Sequence, residues 1–304
     1  METIDSKKEY RQGIRSVLLC NTLWGLLPIY WQWLIPIDSI TIIYYRVFLV
    51  ALVCLLVALK VHTKEEILAP LRDKSKLTRL IIAGLVVTLN WSIYIYAVNS
   101  GRVIQTSIGY YMEPLMVCLF GMLIFKEKIN KYKAVALIMG AIGVLAVIMY
   151  FKQIPTIALG VSISFSIYAA IKRGLQMPPT LSLLYETIFL APIALVIIIV
   201  KEINGTGALA VADPGKYALL LLCGFATAIP MMLFANAANK TNMFILGLTE
   251  YISPTIALII SIFYFKEDFA PVQLIAFAII WVGLIFFSIG EFKEYKNADI
   301  QRDL

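Results

Sequence analysis

Apolar residues fall in ten runs of about 20 along the chain, the length needed to cross a roughly 30 Å hydrocarbon core as a helix. They cover about residues 15–34, 39–59, 79–99, 103–125, 133–150, 156–173, 181–200, 217–238, 244–265 and 271–290. The polar stretches between them are short and leave no room for a soluble domain. The pattern predicts an all-α membrane protein of ten transmembrane helices.

The second half of the pattern repeats the first. Ala97 and Asn99 return 140 residues later as Ala237 and Asn239, Tyr111-Met112-Glu113-Pro114 as Tyr251-Ile252-Ser253-Pro254, and Phe125-Lys126-Glu127 as Phe265-Lys266-Glu267. Gly84 matches Gly224 and Gly143 matches Gly283, with no gap needed. Each copy holds five runs, so the second enters the membrane from the opposite side. The expected organisation is two inverted five-helix repeats, residues 15–150 and 155–290. Inverted halves are how many secondary transporters give alternating access to a central site.

Composition narrows this further. Only 15% of the 304 residues are charged, against about 25% in a soluble domain. The net charge of +7 is explained by its placement. With a cytoplasmic N-terminus, 20 of the 26 Lys and Arg residues fall on the cytoplasmic side, Lys172 and Arg173 among them, and 5 on the other; Arg46 lies inside a run. That asymmetry puts both termini in the cytoplasm and calls for no nucleic-acid partner. The polar segment Met1–Arg15 and the lack of a small-residue cleavage site argue against a cleaved signal peptide. The four cysteines all lie in apolar runs and read as packing residues. The lone histidine, His62, sits in a loop, so no histidine-ligated metal or haem and no Ser–His dyad is expected in the membrane. No phosphate-binding loop is present to draw on ATP. The chain is therefore read as no enzyme, with no cofactor and no metal.

Four ionisable residues fall inside runs: Arg46, Glu113, Glu186 and Glu250. Each is costly in lipid and implies a polar interior. Arg46 maps onto Glu186 across the repeat, so the halves carry opposite charges at equivalent positions. Counting helix rise, Arg46 lies about 10 Å below the outer surface and Glu186 about 8 Å above the inner one. Glu113 is the better-placed partner for Arg46, whereas Glu186 and Glu250 lie at similar cytoplasmic depth and are expected to share one proton. Pro114 and Pro254 are repeat equivalents that would free the carbonyls of Tyr110 and Glu250, and both are read as helix breakers at a central site. Aromatic and amide side chains at mid-run, namely Trp24, Asn90, Tyr94, Asn99, Tyr110, Tyr168 and Tyr251, would line it with Arg46 and Glu113. Trp31 reads instead as an interface anchor.

Leu23-Trp24-Gly25-Leu26-Leu27-Pro28, Asn90-Trp91, Gly109-Tyr110-Tyr111-Met112-Glu113-Pro114 and Gly247-Leu248-Thr249-Glu250-Tyr251-Ile252-Ser253-Pro254 resemble the corresponding spans of RarD-type permeases, in the EamA branch of the drug/metabolite transporter superfamily. The resemblance runs nearly end to end. It implies ten helices in two EamA-like halves and a multi-pass permease of the bacterial inner membrane. Arg46 and Glu186 fit the pattern, while an amide is usual where this chain has Glu113 and usually Gln where it has Glu250. The expected partners are a small-molecule solute and membrane lipid, with a homodimer left open. A passive facilitator or channel is the alternative to a secondary transporter.

Overall fold

The computed structural model describes residues 2–99, 103–152, 156–266 and 270–300. Among them there is no strand, and 88% of them are helical. The first half contains α1 (Glu2–Trp33), α2 (Ser39–Val61), α3 (Lys64–Arg72), α4 (Lys74–Asn99), α5 (Val103–Phe125) and α6 (Lys131–Phe151). The second contains α7 (Thr156–Leu175), α8 (Pro179–Thr187), α9 (Ala191–Ile203), α10 (Pro214–Leu221), α11 (Cys223–Lys240), α12 (Met243–Glu250), α13 (Ile252–Ile260) and α14 (Pro271–Ile300). Seven stretches of the described residues are long and apolar enough to cross a membrane, and Gly109–Phe125 adds a shorter apolar helix.

Local chemistry sets many of the helix starts. Asp38, Asn130, Asp213 and Asn242 each accept a backbone N–H from the first turn of α2, α6, α10 and α12, which satisfies donors that the helix cannot. Thr63 and Glu66 form a reciprocal capping box at α3. At the end of α5, Lys126 turns the chain left-handed (φ 52°), as Lys266 does just after the helical segment that ends at Phe265 (φ 54°). Glu127 then reaches across to accept the N–H groups of Met243 and Phe244 at 2.9 and 3.2 Å, tying the end of α5 to the start of α12.

Proline acts differently from helix to helix. Pro192 and Pro254 sit in the first turns of α9 and α13, just after interruptions at Ile188–Leu190 and Tyr251. A missing N–H costs nothing in a first turn, so a break settles just before it. Pro114 lies inside an unbroken α5, so the expectation that it breaks its helix is corrected.

The helices pack in pairs that follow the 140-residue offset. α1 lies on α11 and α4 on α7; α2 meets α11 and α4 meets α8; α6 packs on α14. The contacts follow suit. A Cβ on Gly143 would come within 3.1 Å of the Ala276 carbonyl oxygen, and one on Gly283 within 3.3 Å of that of Ala136. Gly84 is pressed against the carbonyl of Glu186 and Gly224 against that of Leu49. Small residues here let backbones touch where apolar burial alone would drive no association in lipid.

Polar groups are buried in the interior, while apolar side chains face outward. In α7, Ser162, Ser164, Ser166 and Lys172 are buried along with Phe165 and Tyr168. The exposed positions of α6, α9 and α14 include Ile138, Ile142, Leu145, Ile193, Val196, Ile199, Val282 and Ile285. A bundle bathed in hydrocarbon turns its polar groups inward, where they hydrogen-bond to one another.

Candidate functional site

A cavity of about 270 Å³ opens between the two sets of helices. Trp24, Pro28 and Trp31 of α1, Arg46 of α2, Asn90, Trp91 and Tyr94 of α4, and Tyr110 and Glu113 of α5 form one part of its wall. Phe165 of α7, Met231 of α11, Glu250 of α12, and Ser253 and Pro254 of α13 form the other. Asn21, Leu27, Val161 and Ala257 complete it.

The guanidinium of Arg46 is held by aromatic faces. Its Cζ lies 4.1 Å from the centroid of Trp91 and 5.5 Å from that of Trp31. Its buried Nε has no hydrogen-bond partner, and among the described residues Arg46 makes no ion pair with Glu113, contrary to the expected pairing. Stacking on indole stabilises a cation by about 0.5–2 kcal/mol, depending on exposure, without using its N–H donors. The donors are thus left for something else. Trp31, read from sequence as an interface anchor, is part of this stack. Trp91 also lines the cavity; its place beside Asn90 in a mid-membrane run was the available signal.

Other lining groups are fixed by neighbours. Asn90 donates its amide to the Val161 carbonyl (2.8 Å) and to Ser164 Oγ (3.0 Å), so it ties α4 to α7 as well as facing the cavity. Tyr94 and Tyr110 stand 5.9 Å apart, centroid to centroid. Trp24 packs between Phe165 (5.9 Å) and Phe234 (5.6 Å). Asn21, fully buried, has a free carbonyl oxygen, and both carboxylate oxygens of Glu250 are buried without a partner.

The remaining expected site residues lie elsewhere. Tyr251 is buried and donates its hydroxyl to the Tyr111 carbonyl at 3.0 Å, joining α5 to the break between α12 and α13. Tyr168 is fully buried, stacks on Phe234 and donates to Glu186 Oε2 at 3.0 Å. Pro114 does not line the cavity either. The side chain of Asn99 lies outside the described residues.

Glu186 also corrects its expectation. It points into the interior, but its Oε1 accepts Lys172 Nζ at 2.6 Å and Ser182 Oγ at 2.8 Å. Lys172 donates to Ser182 Oγ as well, at 2.6 Å, and all three residues are buried. Lys172, counted from sequence as a cytoplasmic loop cation, is an interior ion-pair partner. The oxygens of Glu186 are taken up by an ammonium and two hydroxyls and make no hydrogen bond to Glu250, contrary to the expected pair. Only Glu250 of those two acids faces the cavity. Among the described residues no group of His, Cys, Asp and Glu is arranged to hold a metal ion.

The EamA-like transporter family matches this chain twice, at residues 11–149 and at 154–289. An uncharacterized transporter of Bacillus subtilis, YojE, is 32% identical over 95% of this chain and 97% of its own length. Protein RarD of Escherichia coli is 26% identical over 92% of this chain and 95% of its own. The chloramphenicol-sensitive protein RarD of Pseudomonas aeruginosa is 24% identical, over 90% and 92%. A protein of known crystal structure shares the fold with a TM-score of 0.67 at 13% identity, covering 92% of this chain and 97% of its own. Helices long and apolar enough to span a bilayer, a polar interior and a doubled family match agree: the chain is a multi-pass membrane transporter that belongs to the EamA-like transporter family, of the RarD type.

Proposed function

We propose that this chain is a secondary transporter that moves small organic solutes by alternating access through the Arg46 cavity, across ten helices arranged as two inverted halves. The membrane is the bacterial inner membrane, with both termini cytoplasmic. The observation that carries the reading is the make-up of the cavity wall. Four of its residue pairs, Asn21 with Val161, Trp91 with Met231, Tyr110 with Glu250, and Glu113 with Ser253, are related by the 140-residue offset. A site lined by equivalent positions of two similar units lies near the axis that relates them, where rocking one unit against the other changes its access.

The other lining residues have counterparts outside the cavity, and three of them lie toward one end. Pro28, Trp31 and Arg46 correspond to Tyr168, Ile171 and Glu186. Tyr168 and Glu186 belong to the closed Lys172 cluster. One end open and its counterpart sealed is the asymmetry expected of one state of an alternating cycle.

Arg46 serves an anionic or polar part of the solute, with Trp24, Trp91, Tyr94 and Tyr110 against its apolar part. The test is a panel of small organic anions, zwitterions and neutral aromatics screened for thermal stabilisation of the purified full chain. A solute at a hundred times its Kd stabilises by about 2.7 kcal/mol. Arg46→Ala should abolish that shift for anionic and zwitterionic solutes. An equal shift in the variant, or none with any solute in the wild type, overturns the assignment. In proteoliposomes, solute accumulation beyond equilibrium under an imposed ion gradient supports coupled transport. Equilibration alone would favour a passive facilitator.

A further inference from the structure

We infer that Glu113 and Glu250 hold a single proton between them in the empty cavity, and that this proton is the coupling ion of the cycle proposed above. The coupling role rests on that reading; the protonation does not.

Glu250 is only 4% exposed, with neither carboxylate oxygen paired. Glu113 faces the same cavity. No described residue forms an ion pair with either acid. On α2, Arg46 supplies one positive charge to the cavity. The remaining titratable neighbours are neutral or engaged. Cys20 of α1 donates to the Pro230 carbonyl, and Cys118 of α5 lies against that of Phe244. Tyr94 of α4 and Tyr110 of α5 are phenols. On α7, Tyr168 and Lys172 are both committed to Glu186. Thr227 and Met231 of α11 carry no charge. At the far end of α12, Glu127 is taken up by the Met243 and Phe244 N–H groups, and Lys133 stands over the Phe244 ring.

The cavity therefore contains two carboxyl groups and one cation. With both acids ionised it would hold an uncompensated negative charge inside the bundle, with two like charges in one cavity. One proton removes both penalties. The acids come from opposite halves, Glu113 on α5 and Glu250 on α12. Movement of one half against the other changes their separation. The proton then leaves from the carboxyl group that meets water. No bond other than O–H is made or broken, and the proton is the only species transferred.

The first test needs no variant. Purified full chain in lipid nanodiscs is treated at neutral pH with dicyclohexylcarbodiimide, which reacts with protonated carboxyl groups in apolar surroundings, and the peptides are read by mass spectrometry. The expected result is one adduct per chain, split between Glu113 and Glu250 and never on both, since the remaining carboxylate stays ionised beside Arg46. The second test counts protonated carboxyls by infrared titration of the ligand-free protein. The wild type should show one buried carboxyl carbonyl band at neutral pH. Glu113→Gln and Glu250→Gln should each lose it, and Arg46→Gln should double it. No adduct and no band in the wild type, adducts on both acids of one chain, or a band that survives in either Gln variant would each overturn the inference. Should solute stabilisation fail while the single adduct appears, the transport reading falls and the shared proton stands.

Discussion

Arg46 and Lys172 are two cations inside one helical bundle, and they are held in opposite ways. Arg46 is stacked on indole rings with donors to spare, the condition of a group waiting for a ligand. Lys172 is engaged, with Glu186 and Ser182 both at 2.6 Å. Breaking a buried pair by removing one partner leaves an uncompensated charge and costs roughly 3–5 kcal/mol. Lys172→Met is therefore expected to lower the melting temperature in detergent sharply, and the double variant Lys172→Met/Glu186→Gln to recover most of the loss. Equal destabilisation by the single and the double variant would show that the charge of Glu186 is not what the lysine serves. The charged residues themselves were legible in the sequence. Their partners were not, because Lys172 and Glu186 lie on different helices, and a count of loop cations does not say which way a side chain turns.

At the scale of the elements, close backbone approach decides where the helices cross. The site of a Cβ on Gly84 is occupied by backbone of Glu186, whereas Gly174, in α7, has nothing within 4 Å. Gly84→Ala must push α4 from α8 and should destabilise by roughly 1–3 kcal/mol, as overpacking does. Gly174→Ala should be neutral or stabilise by up to about 1 kcal/mol through helix propensity. Thermal unfolding of the two variants side by side checks this, and equal effects would contradict the packing assigned to Gly84. The same contrast governs the prolines. Pro254 falls where the helix has already been interrupted at Tyr251, while Pro114 is absorbed in a continuous α5. The residue type announces a weak point; neighbouring helices decide whether it opens.

For the whole molecule, the proposed topology makes a prediction that the cysteines make easy to read. Cys20, Cys54, Cys118 and Cys223 are all buried, so engineered thiols should report against a low background. Glu65→Cys and Ala298→Cys are expected to react only with membrane-permeant reagents in intact cells, and Leu209→Cys with impermeant ones. An impermeant label at position 298 would contradict the even number of crossings.

The sequence by itself determined the class of protein, because the length and apolarity of its runs answer to one property of the solvent, the thickness of the bilayer. It also showed the 140-residue offset, and equivalent positions carry similar close-packing demands, as with Gly143 on Ala276 and Gly283 on Ala136. Much of the cavity wall was legible too: polar and aromatic residues such as Arg46, Trp24, Asn90, Tyr94, Tyr110, Glu113 and Glu250 are expensive in lipid and so point inward. Only the tertiary structure decided which inward groups share a space. It took Glu186 and Tyr168 out of the cavity and into the Lys172 cluster, and gave Tyr251 to the Tyr111 carbonyl. It brought Trp31 and Trp91 onto Arg46. Burial is a demand that each residue makes alone and that its own chain position reveals. Partnership depends on distances of a few ångströms between helices far apart in sequence, and those are fixed only when the bundle packs.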